Sequence, residues 1–210
     1  LQMSKKILSF TSNDVEISSV KPVYRGFFTM QEYLFTHKCF DGTQSGTVKR
    51  ELFERGHAVG VLPYDPVLKE FVLIEQFRIG ALATSSTPWL IEIIAGMIDE
   101  GETEVDVCHR ESMEEAGITL DKLTKALRYL SSPGGTTERL HIFIAKTDAS
   151  QAHGVHGLES ESEDIKVHRI KENTALEWLE NGHIDNAAAV IALQWFFMHK
   201  TQLLEQWQTS

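Results

Sequence analysis

Glu111, Glu114 and Glu115 lie close together in the stretch RESMEEAG at 110–117. Thr103 before this run and Gly117 after it, with no proline between, predict a helix. Thr103 is its N-cap, Glu104 and Asp106 sit in the first turn where a helix favours negative charge, and Gly117 takes the left-handed position past the end. At helical spacing Glu111 and Glu115 stand one above the other, with Glu114 flanking them. Like charges four apart cost about 0.2–0.5 kcal/mol. Glu115 also faces the negative end of the helix dipole, at a cost of ~0.3–1 kcal/mol. Arg110, four before Glu114, is the local relief. Such a face is either simply solvated or assembled for a hard divalent cation that shares its oxygen ligands with phosphate. Val105, Cys108, Ser112 and Ala116 form the small-residue face expected to meet a core.

The wider pattern favours the cation. From Gly96, five residues lead to Glu102 and seven more to Arg110-Glu111-Ser112-Met113-Glu114-Glu115-Ala116-Gly117-Ile118. This resembles the Nudix box, G-x5-E-x7-R-E-U-x-E-E-x-G-U, with Ser112 the one departure, where a bulky apolar residue is usual. A small residue there lets the helix pack closer to a sheet. YRGFF at 24–28, VKRELFERGHA at 48–58, IEQFR at 74–78, PWLIEIIAGMI at 88–98, SSPGGTTER at 131–139 and GLESESEDI at 157–165 extend the likeness. Together these resemble the bacterial ADP-ribose pyrophosphatases among the Nudix hydrolases.

The resemblance implies an Mg²⁺-dependent hydrolase, with Mn²⁺ as a substitute, that splits ADP-ribose into AMP and ribose 5-phosphate. Other nucleoside diphosphate sugars, such as ADP-glucose and GDP-mannose, are the alternative substrates. A non-catalytic nucleotide-sugar sensor is the reading from another class. Glu111 and Glu115 are the implied metal ligands, completed by the backbone carbonyl of Ala95 at the end of its strand. Glu114 is read as a partner of Arg110, and Glu102 as a residue that positions its loop.

The base is sought outside the box. Glu159, Glu161 and Glu163 alternate, so an extended loop would show all three on one side; a merely solvated loop is the plainer reading. Register against the family makes Glu161 the base and Glu163 a further metal ligand. On the substrate side, Arg78 is a bidentate donor for phosphate. Arg50 and Glu51 meet phosphate and a polar edge, or are ordinary surface ion pairs. Met97 joins the substrate set, with Ser132, Pro133 and Gly134 near the ribose and Glu138 on its hydroxyls. Phe27 and Phe28 either stack an adenine, across a dimer in the family, or belong to a strand core, where adjacent residues cannot both face inward. His153 and His156 flank Gly154 and make no ligand pattern.

These residues need a frame. The pattern predicts extended chain over 14–40, strands at 47–54, 123–131, 140–147 and 164–170, and a hairpin HAVGVLPYDP–FVLIEQFR turning at Tyr64-Asp65-Pro66. PWLIEIIAG reads as one buried strand, 149–163 as a polar loop, and 172–181 and 186–206 as helices, the last carrying Ile191, Leu193, Trp195, Phe196, Leu203 and Leu204. The fold class is α/β (α+β), which the resemblance makes a Nudix-type α/β/α sandwich with a mixed sheet. Residues 1–55 form an N-terminal antiparallel β segment implied to dimerise, with exchange between subunits, and 56–210 form the hydrolase domain.

Composition narrows the partners. The 210 residues carry a formal charge of −10 with no dense Lys/Arg run, which argues against nucleic acid. No apolar run approaches a membrane span and no secretory pattern opens the chain. Leu1-Gln2 before Met3 are set aside as an appended remnant. Cys39 and Cys108 read as two buried thiols in a reducing cytoplasm.

Overall fold

The computed structural model describes residues 10–209, in two compact units. The first nine residues of the N-terminal segment, Leu1-Gln2 included, lie outside the described residues. One unit comprises the chain as far as Arg55 together with Ser132–Glu138, and the other comprises Gly56–Ser131 and Arg139–Ser210.

The first unit is a three-stranded antiparallel sheet of β1 (Val15–Arg25), β2 (Thr29–His37) and β3 (Val48–Glu54), in that order. The extended stretch predicted over 14–40 is a hairpin, because Gly26-Phe27-Phe28 turns the chain and Gly26 N–H donates to Phe28 O at 2.9 Å. Glu32 is buried in mid-sheet and is held by Lys21 and Lys49 at 2.8 and 2.6 Å. The segment Ser132–Glu138 docks on β3: Phe53 N–H donates to Gly135 O and Thr136 Oγ1 donates to Phe53 O, both at 2.8 Å.

The second unit is built on a mixed sheet with helices on both faces, the layered α+β arrangement expected. Its strands are β4 (Ala58–Asp65), β5 (Glu70–Phe77), β6 (Trp89–Glu92), β7 (Ile94–Met97), β8 (Lys122–Leu130), β9 (Arg139–Lys146), β10 (Val155–His156) and β11 (Ile165–Lys171). The order is β10-β11-β5-β4-β9-β8; β4 and β9 run parallel and the remaining pairs antiparallel. The helices are α1 (Glu104–Ala116), α2 (Glu172–Glu180) and α3 (Ala187–Thr209).

The β4–β5 hairpin forms where Tyr64-Asp65-Pro66 foretells it. Asp65 Oδ1 accepts the N–H groups of Val67 and Leu68 at 2.8 and 2.9 Å. The two strands pair only beside that turn, at Tyr64–Phe71 and Asp65–Glu70, and then diverge. The fork is filled by β6, paired to β5, and β7, paired to β4. The single buried strand expected from PWLIEIIAG is therefore two short strands that change partner at Ile93, and Trp89 at its start is exposed.

Strand alternation divides the core in two. Val72 and Ile74 of β5 join Val107, Cys108 and Ala116 of α1 on one face. Phe71 and Leu73 join Ala192, Leu193 and Phe196 of α3 on the other. Phe196 lies 4.6 and 4.8 Å from the Tyr64 and Phe71 rings, and removing a ring from such a site costs roughly 3–5 kcal/mol. On α1 the buried face is Val107, Cys108, Ser112, Glu115 and Ala116, while Val105 is exposed, which corrects the predicted phase. Ser112 is fully buried, as the close packing of helix on sheet requires. Both cysteines are free; Cys108 is buried, its thiol pushed up to about 12 by that burial, whereas Cys39 is only half-buried. Among the described residues no helix is long and apolar enough to cross a membrane.

Candidate active site

Helix α1 begins with a capping box. Asp106 N–H donates to Thr103 Oγ1 at 3.2 Å, and Thr103 N–H donates to Asp106 Oδ2 at 3.0 Å. At its end Gly117 adopts φ +62°; its N–H donates to Met113 O and that of Ile118 to Ser112 O, each at 3.1 Å. This left-handed close is glycine's position. A Cβ on Gly117 would lie 2.6 Å from Cε1 of His156. One residue after β10, Gly157 N–H donates to Glu114 O at 3.1 Å. The last turn of α1 thereby fixes where the acidic loop starts.

Arg110 gathers the acids of the box. Its Nε and Nη2 donate to Glu102 at 2.8 and 3.0 Å, and its Nη1 donates to Glu111 at 2.7 Å and Glu114 at 3.1 Å. Nη2 also reaches Met97 O at 3.3 Å. The Glu102 hydrogen bond does most to hold the guanidinium charged, and Arg110 in turn holds Glu102 below the usual carboxylate range. Asp99 N–H donates to Glu102 Oε2 at 3.2 Å, so Glu102 bonds both its own loop and the helix.

Glu111 and Glu115 turn toward β7. Glu115 is 3% exposed, and its Oε2 accepts Ala95 N–H at 3.1 Å. Ala95 lies within β7 rather than at a strand end, because the strand runs on to Met97. Glu111 lies over Gly96, where an added Cβ would be 1.6 Å from Glu111 Oε1. Only glycine leaves room for that carboxylate.

Burial pushes Glu111 up to about 7, against the opposing pull of Arg110, and Glu115 up to about 8, against its bond from Ala95; Glu163 adds to both. Oxygen donors of raised proton affinity, enclosed together, fit a hard divalent cation. Among the described residues no three His, Cys, Asp or Glu side chains already converge on a point.

A pH dependence follows. Both carboxyls titrate higher in the folded chain than the ordinary value of 4.5, so the folded state holds the extra protons. Their contribution to stability is complete below about pH 4.5 and is lost as pH rises through 7 to 8. His141, held low by burial, acts in the opposite sense near neutrality. In EDTA, thermal denaturation is expected to show a Tm that falls from pH 5.5 to 8.5, and Mg²⁺ should raise Tm more at the upper end. An Mg²⁺ increment that does not change with pH would contradict these two assignments.

The acidic loop departs from the extended strand expected of it. Glu159–Glu161 form a single 3₁₀ turn closed by Ser162 at φ +57°, so the three glutamates do not share a side by alternation. Glu163 folds back, its Oε2 accepting Leu158 N–H at 3.1 Å, and Gly157 at φ +106° passes so near that a Cβ would lie 2.6 Å from the Glu163 Cβ. Glu161 is exposed at the end of the turn. Arg78 makes a bidentate pair with Glu92, Nε at 3.2 Å from both oxygens and Nη2 at 2.9 Å from Oε2, and Glu115 and Glu163 lie within its field. Glu92 was not singled out from sequence; a lone acid amid the apolar strand was the available signal. His156 Nε2 pairs with His153 O at 2.9 Å.

The first unit holds the other predicted residues. Phe27 is 93% exposed and Phe28 half-buried, both in the hairpin turn rather than in a strand core. Phe28 packs edge-on to Phe53 at 5.0 Å, and Arg55, which the sequence did not flag, lies over its face at 5.4 Å. Arg55 also pairs with buried Glu138 at 3.1 Å. Arg50 and Glu51 are exposed, with Arg50 Nη1 donating to Lys49 O at 2.7 Å. Ser132, Pro133 and Gly134 are exposed in a turn whose Ser132 O accepts the N–H groups of Gly135 and Thr136, both at 2.9 Å.

Known proteins resemble this chain in sequence and in fold. The chain is 52% identical over 200 residues to an ADP-ribose pyrophosphatase of Escherichia coli (strain K12), covering 95% of this chain and 96% of that one. It is 47% identical over 212 residues to an ADP-ribose pyrophosphatase of Haemophilus influenzae, covering 100% and 97%. A GDP-mannose pyrophosphatase of Cronobacter sakazakii is 35% identical over 185 residues, covering 87% and 95%. A solved structure described as an ADP compounds hydrolase superposes with a TM-score of 0.69 at 22% identity, over 92% of this chain and 98% of that one, which speaks for the fold. The profile of the NUDIX domain matches residues 46–190, a span that takes in the sheet, α1 and every acid gathered by Arg110, and on that ground the chain belongs to the NUDIX family.

Proposed function

We infer that this protein is a Nudix hydrolase that cleaves the pyrophosphate bond of ADP-ribose to AMP and ribose 5-phosphate, using Mg²⁺ or Mn²⁺. The observation that carries the reading is the enclosed pair of Glu111 over Gly96 and Glu115 on Ala95 N–H, in a chain similar to ADP-ribose pyrophosphatases over nearly its whole length. A sensor without metal would have no use for two carboxyls buried at a cost.

Glu111, Glu115, Glu163 and the Ala95 carbonyl would hold the cation, which when bound neutralises diphosphate charge and acidifies water. Arg110 and Glu114 support that set, Arg110 by fixing the carboxylate of Glu111 and Glu114 by sharing its guanidinium. Glu161 takes the proton of the attacking water. Arg78 binds phosphate, exchanging part of its Glu92 pair for it, and Met97 borders the substrate. Phe27 and Phe28 stack the adenine, Arg50 and Glu51 bind polar substrate atoms, and Ser132, Pro133, Gly134 and Glu138 receive the ribose. The first unit dimerises the chain, with exchange between subunits, and the protein works in the cytoplasm.

The second reading keeps the chemistry and changes the sugar nucleotide, following the GDP-mannose pyrophosphatase relatives. Steady-state rates with Mg²⁺ on ADP-ribose, ADP-glucose and GDP-mannose separate the two. ADP-ribose is expected to lead in kcat/KM by at least about tenfold, equivalent to about 1.4 kcal/mol, and EDTA to stop turnover. A lead for GDP-mannose selects the second reading. Tight binding of all three without cleavage selects the sensor.

A further inference from the structure

One buried polar atom of the second unit has no role in the account above. Gln76 on β5 is 7% exposed, and its Oε1 is shielded from solvent with no hydrogen-bond partner among the described residues. Val72 and Ile74, four and two residues earlier, pack with α1. The period of two therefore directs the Gln76 side chain to the α1 face. On that face β6 lies alongside, with Glu92 opposite Ile74 and Leu90 opposite Gln76. Arg78, two residues on, reaches back to Glu92 along the same edge. Glu115 and Glu163 lie within the field of that guanidinium. Gln76 thus shares the α1 face of the sheet with Glu92, the partner of Arg78.

An amide oxygen closed off from water needs a donor, and leaving it without one is unfavourable. The carboxylates along this face are acceptors, and Arg78 turns Nε and Nη2 to Glu92. A hydrated divalent cation brings donors, since it polarises the waters it keeps. We propose that Gln76 Oε1 accepts a hydrogen bond from a cation-bound water and so holds the hydrated ion against Glu111 and Glu115. Gln76 is then a positioning residue, and the proposal rests on the cation reading given above.

The test measures Mn²⁺ binding by electron paramagnetic resonance on the full chain, with thermal denaturation in EDTA alongside. Gln76→Leu is expected to weaken Mn²⁺ about 10–100-fold, while its metal-free Tm matches or exceeds that of the wild type, because an unsatisfied acceptor has gone. Gln76→Glu, which offers acceptors only, is expected to keep Mn²⁺ affinity within about threefold of wild type or to tighten it. Gln76→Met serves as a second apolar variant should the leucine side chain crowd the core. Mn²⁺ affinity in Gln76→Leu or Gln76→Met within about threefold of wild type overturns the proposal. Loss in Gln76→Glu equal to that in Gln76→Leu also overturns it, since the amide N–H₂ would then be the working group. A wild type that binds no Mn²⁺ overturns the cation reading itself and is told apart by that first measurement.

Discussion

Glu115→Gln is expected to lose turnover by about 10³-fold or more while leaving a protein that, without metal, is more stable than the wild type above pH 7. The two effects share a cause. Glu115 is the most enclosed acid of the site, and among the described residues its hydrogen bond comes from Ala95 N–H. A glutamine oxygen keeps that bond and fills the same volume, so the fold is retained. It carries no charge, so the unfavourable ionisation of a carboxyl held near 8 disappears. The same neutrality removes a cation ligand, and metal stabilisation of phosphate charge is worth several kcal/mol, at about 1.4 kcal/mol per tenfold in rate. Steady-state AMP release and denaturation in EDTA at pH 8 read the two effects. A variant that is slower but also less stable would mean Glu115 is a structural acid. A variant that turns over normally would remove it from the metal set.

What the sequence made legible divides along a physical line. The bounds of helix α1 could be read from the sequence because their determinants are local: the Thr103 cap and the Gly117 close each act within a few residues. The β4–β5 hairpin was legible for the same reason, since Asp65 bonds its own turn. The misread features depend on what lies across space. Val105 and Val107 are equally apolar, and the sheet beneath the helix decides which is buried. The apolar run from Trp89 to Met97 carries no mark of its change of partner at Ile93, which answers to the fork between β4 and β5.

The site shows the same division. Gly96 was visible as a motif position, but its reason, the carboxylate of Glu111 lying over its backbone, exists only in three dimensions. Glu92, Gln76 and Arg55 looked like ordinary polar residues in or beside strands. Their partners, or in the case of Gln76 Oε1 the lack of one among the described residues, give them significance. The alternation of glutamates at 159, 161 and 163 misled because it presumes extended backbone, and Ser162 in the left-handed region breaks it.

That broken alternation sets up the second large effect, a contrast between Glu161→Gln and Glu163→Gln. Glu161 lies exposed at the end of the Glu159–Glu161 turn. Its substitution should change stability by less than about 0.5 kcal/mol, as at other surface positions, and leave Mn²⁺ affinity unaltered. If it takes the proton from the attacking water, kcat falls by about 10²–10⁴-fold. Glu163 is tied into the loop through Leu158 N–H and adds its charge to Glu111 and Glu115. Its substitution should therefore weaken Mn²⁺ binding together with rate. A carboxylate would suffice as base here, because a divalent cation, when bound, would acidify its water and the base need not be strong. Titrating Mn²⁺ into both variants and measuring turnover at saturating metal separates the roles: excess metal should recover part of the rate in Glu163→Gln and none in Glu161→Gln. Recovery in both would make Glu161 a ligand, and an unimpaired Glu161→Gln would move the base to another residue of the loop.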